Sequence, residues 1–135
     1  MREPRHLEVT DLSLRLAEMT YQVTKGFPPD ERFGLVAQMR RAAVSVGSNI
    51  AEGCGRSTDR AFVNFIENAL GSVLELDYQA QVALRLGHGD SELMRELRTA
   101  TDQLKRMLAS LSAVIRRKKS TGVPVRQRAA PAALG

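Results

Sequence analysis

Residues 38–56 read QMRRAAVSVGSNIAEGCGR, and no other part of the chain constrains its architecture as closely. Apolar residues recur in this segment every three or four positions, which is the spacing of one face of an α-helix. Small residues fill its middle, and glycines stand close to its end. A glycine inside a helix costs about 1 kcal/mol relative to alanine. The glycines therefore predict either a close approach of two backbones or the end of a helix.

Three other segments of the chain share this helical spacing, and recognisable turns separate them. The first ends at the Gly-Phe-Pro-Pro turn of residues 26–29. The third begins near Ser57 or Thr58 and ends at the Gly-His-Gly of residues 87–89, after which Asp90 caps the fourth. The third and fourth segments carry apolar seams with a four-three rhythm, namely Phe62, Ile66, Ala69, Val73, Leu76, Ala80 and Ala83, followed by Leu93, Leu97, Ala100, Leu104, Met107, Leu111 and Val114.

These patterns predict an all-α protein. Seams of this kind are typical of nearly parallel helices packed side by side, and short connections make neighbouring helices antiparallel. We therefore predict an antiparallel up-down-up-down four-helix bundle over residues 9–119. An N-terminal arm of residues 1–8 precedes the bundle, and a flexible, disordered basic tail of residues 120–135 follows it.

The composition agrees with such a bundle and indicates where it resides. Among 135 residues, 43% are hydrophobic, yet there are only four Phe, two Tyr and no Trp, so the core must be aliphatic. The single cysteine, Cys54, excludes an internal disulfide and fits a reducing compartment. No apolar run approaches the roughly 20 residues that a membrane span needs. We expect a soluble, cytoplasmic protein without a membrane partner.

The net charge of +5 is concentrated at the C-terminal end of the chain. Residues 116–135 hold six basic residues and no acidic one, whereas residues 1–115 hold 14 basic and 15 acidic residues. Such an end can hold phosphate groups without reading base sequence. The alternative is a solvated helix end whose cations suit the helix dipole. The possible nucleic-acid contacts are Arg56, Arg60, Arg116, Arg117, Lys118 and Lys119.

Catalytic and metal-binding patterns are weak in this sequence. His6 and His88 have no nucleophile beside them in the sequence, and Cys54 is a lone thiol. Di-iron bundles need a Glu-x-x-His on each of two helices, and the string occurs once here, across Pro4. We predict no enzyme activity, no metal and no cofactor.

The polar residues in and near the quoted segment predict a structural network. A carboxylate near the edge of a core should be paired, because an unpaired one is costly. The hypothesis is that Arg40 or Arg41 pairs with Glu75 or Glu52, while Asn49 hydrogen-bonds across helices and fixes their register. A role facing a ligand or RNA is the alternative. The full motif comprises Arg40, Arg41, Ser45, Asn49, Glu52, Gly53, Arg56 and Glu75.

The last two helices also carry apolar residues outside their seams. A monomeric bundle can absorb some of them in a wide stripe, whereas a partly exposed second stripe is typical of an oligomer interface. We expect a homo-oligomer. The residues concerned are Phe65, Leu70, Leu74, Leu84, Leu108 and Ile115.

A longer signature resembles a known bacterial family. Residues 27–56 read FPPDERFGLVAQMRRAAVSVGSNIAEGCGR, and residues 69–76 read ALGSVLEL. Both are similar to motifs of the four-helix bundle protein family whose founding members are encoded in intervening sequences of 23S ribosomal RNA genes. The resemblance covers residues 10–117. Gly47 stands where that family usually has proline, so the resemblance does not predict how strongly the helix bends at this position.

The resemblance implies a small, non-catalytic bundle that assembles into a homo-oligomeric ring, a pentamer, and associates with ribosomal RNA or another nucleic acid. The chain is also similar in architecture to the accessory proteins of diversity-generating retroelements. That similarity implies the alternative function, a protein-interaction scaffold or accessory subunit with a partner protein and no direct RNA binding.

Overall fold

The computed structural model describes the backbone of residues 5–122 and the side chains of residues 7–117. Within that range the chain forms helices and turns, without a β-strand. A 3-10 turn, Pro29–Glu31, lies between the first two helices. The four α-helices are α1 (Arg5–Thr24), α2 (Leu35–Cys54), α3 (Asp59–Arg85) and α4 (Ser91–Gly122).

The four helices are arranged around a common core in the same order in which they follow one another along the chain. Each helix packs against the next one along the chain, and α4 packs back against α1. The short connections reverse the direction of the chain at each step. The predicted all-α, up-and-down four-helix architecture is therefore confirmed. The described residues do not include any helix that is long and apolar enough to cross a membrane.

The predicted helix boundaries in the middle of the chain are confirmed by their capping contacts. Thr58 precedes α3, and its hydroxyl accepts a hydrogen bond of 3.1 Å from the Ala61 N–H. Asp90 accepts one of 2.9 Å from the Leu93 N–H at the start of α4. Gly87 and Gly89 have φ of 74° and 82°, which is the left-handed region that favours glycine.

Two predicted boundaries near the chain ends need correction. Helix α1 begins at Arg5, so residues 5–8 of the predicted arm are helical. Helix α4 continues to Gly122, beyond the predicted end of the bundle at residue 119. The rest of the predicted disordered tail, residues 123–135, lies outside the described residues.

The core is a single apolar cluster with side chains from all four helices. Ile50, Val73 and Leu104 share it, and every predicted seam residue of α3 is buried. On α4 the prediction is less accurate, because Leu93, Met107 and Val114 are only half-buried. Helix α4 borders both α1 and α3, so its buried stripe is two rows wide. The buried apolar residues of α4 are Met94, Leu97, Ala100, Leu104, Leu108, Leu111 and Ile115.

This wide stripe changes the interpretation of the apolar residues outside the seams. Leu108 and Ile115 were expected to be available for an oligomer interface, and both are buried in the core instead. Phe65 and Leu70 are half-buried. Of that set, the exposed members are Leu74 and Leu84.

Candidate functional site

The small residues of α2 let it approach both neighbouring helices closely. A Cβ atom placed on Gly53 would lie 3.0 Å from the Cβ of Phe65 and 3.4 Å from the carbonyl oxygen of Phe62. A Cβ atom on Gly47 would lie 3.2 Å from the hydroxyl of Ser13. Gly53 therefore faces α3 and Gly47 faces α1. Helix α2 is continuous through Gly47, where the resembling family usually has proline.

Ser45 makes the polar link between α2 and α3. Its hydroxyl lies 2.9 Å from the hydroxyl of Ser72. The Asn49 amide donates to the Ser45 carbonyl over 2.9 Å and to the Ser45 hydroxyl over 3.1 Å. The predicted bond from Asn49 across helices is thus wrong. Asn49 supports Ser45 within α2, and Ser45 makes the contact to α3.

The predicted arginine–glutamate bridges are replaced by other pairings. Arg40 lies on the α1 side of α2, where its Nε donates to the Thr24 hydroxyl over 2.9 Å and its guanidinium stacks on Tyr21 at 4.4 Å. Glu52 pairs instead with Arg56 one turn later, at 2.7 Å. Glu75 is exposed and accepts a hydrogen bond of 3.4 Å from Gln79 on its own helix.

Arg41 is exposed, and no described carboxylate pairs with it. The physical reason is geometric: residues 40 and 41 are 100° apart on a helix, so Arg40 turns toward α1 and Arg41 turns toward solvent. Residues 38–56 therefore serve packing, because their small side chains let α1 and α3 lie close to α2.

Asp77 is the buried centre of a polar cluster that the sequence patterns did not predict. Its carboxylate accepts hydrogen bonds from Arg98 (3.4 Å), Thr101 (3.3 Å) and Lys105 (3.3 Å), which all belong to α4. Gln81 on α3 adds a fourth bond at 3.1 Å. Burial acts to raise the pKa of Asp77, but the charge and hydrogen bond of Lys105, together with the Gln81 hydrogen bond and the Arg98 charge, keep the pKa below its usual value.

A weak sequence signal for this cluster existed. Arg98 and Lys105 are seven residues apart on α4 and therefore share one face of that helix. Asp77 and Glu75 flank Leu76 on either side, and only the positions of α2 and α4 decide which carboxylate is enclosed. Glu75, the carboxylate predicted to be paired, is exposed.

A second missed contact joins the two loops at one end of the bundle, which we call the loop end. The Nε2 atom of His88 lies 3.0 Å from Oε2 of Glu31. The other carboxylate oxygen of Glu31 accepts from the Leu35 N–H over 3.1 Å, which caps α2. The Phe27 ring lies against the His88 ring, with centroids 5.5 Å apart. The Leu35 bond and the His88 bond together lower the pKa of Glu31.

The predicted basic residues gather at the opposite end, which we call the basic end. Arg60 near the start of α3 and Arg116 near the end of α4 line a common depression of about 330 Å³, together with Asp59, Val63, Asn64 and Ile115. Arg116 also pairs with Glu67 of α3. These contacts show that the fold brings Arg60 and Arg116 together, although they are far apart in the sequence.

The other predicted contacts differ in how available they are. Arg56 pairs with Glu52 and lies over the Phe65 ring at 4.9 Å, so other groups already engage it. Arg117 is exposed beside Arg116. Lys118 and Lys119 belong to α4, and their side chains lie outside the described residues. Helix α4 as a whole holds eight basic and three acidic residues, a net charge of +5.

The described side chains offer little for catalysis or metal binding. Among residues 7–117, no three His, Cys, Asp or Glu side chains are grouped closely enough to hold a metal ion. Cys54, the single cysteine of the chain, is half-buried at the end of α2. The two clusters around Asp77 and Glu31 are internal ties between elements of the fold.

The fold and these contacts define a small helical bundle with one basic end. The sequence profile of 23S rRNA-intervening sequence proteins matches residues 5–110, so the chain belongs to that family. The predicted resemblance is thereby confirmed. No functionally curated protein matches the sequence.

A solved structure supports the fold. The chain is similar to a protein of unknown function from the S23 ribosomal protein family of Bacteroides thetaiotaomicron. The two share 22% identity with a TM-score of 0.74, over 81% of this chain and 98% of the other. At this identity the similarity establishes the fold alone.

Proposed function

We propose that this protein is a non-catalytic, cytoplasmic bundle that associates with nucleic acid through its basic end, as a homo-oligomeric ring. The observation that carries the proposal is the depression that Arg60 and Arg116 line together where α3 begins and α4 ends, with the exposed Arg117 next to Arg116 in the chain. The family is named for intervening sequences of 23S rRNA, which favours ribosomal RNA as the nucleic acid.

The chemistry of the basic end suits phosphate contacts without base recognition. Arginine presents a planar set of donors that matches a phosphate group, and such contacts release counterions and weaken as salt is added. Glu67 neutralises part of the charge of Arg116, and Asp59 lies in the same depression, so the exposed Arg60 and Arg117 are the cations that the test below removes. The exposed aromatic residues Tyr21, Phe33 and Tyr78 lie away from the basic end, which favours backbone contacts over base stacking.

Assembly into a ring would strengthen this weak binding. Each copy contributes one basic end, and several ends on one side of a ring bind a long polyanion together. A pentamer, which the family resemblance implies, would present five such ends. The gain comes from effective concentration and needs no new contact.

The test is fluorescence anisotropy with a structured RNA over a salt series. The double variant Arg60→Ser/Arg117→Ser should weaken binding, and the slope of log affinity against log salt should fall by about 1.5–2. The matched control, Arg85→Ser/Arg95→Ser, removes the same charge near the loop end and should leave binding unchanged. Equal losses in both double variants would contradict a localised site.

A protein-interaction scaffold is the second candidate function. Phe33 supports it, because this side chain is 86% exposed at the loop end, close to the Glu31–His88 contact. A large exposed aromatic group often anchors a protein partner. A variant Phe33→Ser that binds RNA normally but fails to recover a protein captured by the nuclease-treated wild type would favour this function over the first.

A further inference from the structure

The basic end contains carboxylates as well as arginines. Asp59 lines the same depression as Arg60 and Arg116, and Glu67 follows further along α3 and pairs with Arg116. The exposed Arg117 is next to Arg116 in the chain. Three arginines and two carboxylates leave this described part of the basic end with one net positive charge. A phosphate group that binds here therefore has to compete with carboxylates of the protein itself.

Two contacts hold the Glu67 carboxylate against α4. Its Oε2 atom accepts a hydrogen bond from Nη2 of Arg116. The same oxygen accepts from the Ser112 hydroxyl over 3.4 Å, one turn earlier on α4. The Arg116 side chain is 58% exposed and that of Glu67 is 45% exposed. The pair thus lies at the surface, where a ligand can reach it and where ion pairs add little to stability.

A carboxylate and a phosphate group use the same donors of an arginine. The planar guanidinium group presents its N–H groups in a fixed arrangement that matches either oxyanion. The Glu67 carboxylate lies where a phosphate oxygen has to lie in order to accept from Nη2 of Arg116. The two acceptors therefore exclude each other at this atom.

We propose that Glu67 is an internal competitor of RNA, whose carboxylate occupies Arg116 and keeps the affinity of each basic end for phosphate groups low. A phosphate group that binds Arg116 has to displace Glu67. The displaced carboxylate stays close by on α3 and repels the phosphate charge. The inference rests on the proposed function and names the residue that limits binding at that site.

A weak single site makes binding depend on assembly. One basic end, with Arg116 occupied, releases RNA readily. Several ends that bind one polyanion together retain it, because each rebinds at a high effective concentration. The competitor therefore favours RNA binding by the assembled protein over binding by a single chain.

The experiment repeats the anisotropy titration of the full chain with a labelled RNA hairpin over a salt series, for Glu67→Gln and the wild type. Glutamine keeps nearly the same shape but has no charge, so Arg116 becomes available as an added phosphate contact. One added contact should steepen the slope of log affinity against log salt by about 0.7–0.9, which corresponds to about five- to eightfold tighter binding at 0.1 M salt.

A double-mutant cycle with Arg116→Ser tests whether the gain acts through Arg116. In the Glu67→Gln background, Arg116→Ser should remove the whole gain in affinity. In the wild-type background it should cost much less, because Glu67 already engages this arginine. Equal losses in the two backgrounds would mean that Arg116 binds RNA regardless of Glu67, which would overturn the inference.

The matched control is Glu92→Gln, which removes the same charge and releases Arg95 at the loop end. Its affinity and salt slope should equal those of the wild type. The same gain in Glu92→Gln as in Glu67→Gln would make the effect one of net charge, and the inference would be wrong. Circular dichroism should show the wild-type helix content in every variant.

Two outcomes separate this inference from the proposed function. If the wild type binds the hairpin and Glu67→Gln binds it equally or more weakly, Glu67 does not compete with RNA and only the inference fails. If neither protein shows salt-dependent binding, the proposed association of the basic end with nucleic acid fails itself.

Discussion

Ser45 of α2 and Ser72 of α3 share a hydrogen bond of 2.9 Å between their hydroxyl groups, and Asn49 supports Ser45 from one turn further along α2. Small side chains allow this contact, because two serines can meet only where the helix backbones lie close together. The same close approach continues at Gly53, against Phe62 and Phe65. The small residues of the family signature therefore determine how tightly α2 packs against α3.

The serine pair predicts a measurable coupling between the two helices. In a double-mutant cycle, Ser45→Ala and Ser72→Ala should each lower the free energy of unfolding by about 0.5–1.5 kcal/mol. The double variant should lose less than the sum, because the second change removes a partner that is already missing. Urea denaturation measures all four proteins. Strict additivity of the two losses would show that the bond contributes nothing.

Glycines 53 and 71 should respond in opposite ways to the same substitution. Gly53→Ala should lower the free energy of unfolding by about 1–3 kcal/mol, because the new methyl group meets the Phe62 backbone and the Phe65 Cβ. Gly71→Ala is the matched control within α3, where the added Cβ has no atom within 4 Å. It should stabilise the protein by about 0.5–1 kcal/mol through helix propensity. Thermal and urea unfolding distinguish the two, and a stabilising Gly53→Ala would contradict the packing argument.

The contact between Glu31 and His88 predicts a loop-end contribution to stability. Glu31→Gln removes the charge that accepts from both the Leu35 N–H and His88, so it should lower the urea midpoint. Glu92→Gln is the control, because its pair with Arg95 is largely exposed and such pairs contribute little. Hydrogen exchange at the start of α2 should rise in the first variant. Equal midpoints for both variants would mean that the His88 contact does not tie the loops together.

Acid should weaken the tie between α3 and α4 through Asp77. The pKa of Asp77 is lower in the folded state than in the unfolded state. Its ionised form therefore stabilises the fold at any pH above the ordinary aspartate pKa of about 3.9. This stabilisation is lost as the pH falls through the pKa of the folded state. The free energy of unfolding should therefore decline below about pH 4. Glu31, whose pKa is also lowered, acts in the same direction.

The variant Asp77→Asn isolates this contribution. At pH 7 it should cost about 1–3 kcal/mol, because Lys105 and Arg98 lose their shared charge partner. Below pH 4 its stability should change less with pH than that of the wild type. Asp11→Asn is the control, since Asp11 is exposed and, among the side chains that the structure describes, pairs only with Arg15 on its own helix. A wild-type acid slope in Asp77→Asn would rule out Asp77 as a source of the pH dependence.

Much of the architecture could be predicted from local patterns along the chain. The glycine turn at residues 87–89, the cap by Asp90 and the seam of α3 depend on neighbours within a few residues. The basic residues at the end of α4 are also visible directly in the sequence, and the meeting of Arg60 with Arg116 follows once the helices alternate in direction.

Which polar side chains pair with each other depended on how the four helices pack in three dimensions. Asp77 is enclosed while Glu75, two residues away, is exposed, and Arg40 reaches Tyr21 of α1 rather than a carboxylate of α3. Glu31 and His88 meet across 57 residues of chain. Periodicity shows that a helix has an apolar face, but the side on which each neighbour lies decides which flanking polar groups lose water and must find a partner. That decision requires the arrangement of all four helices at once.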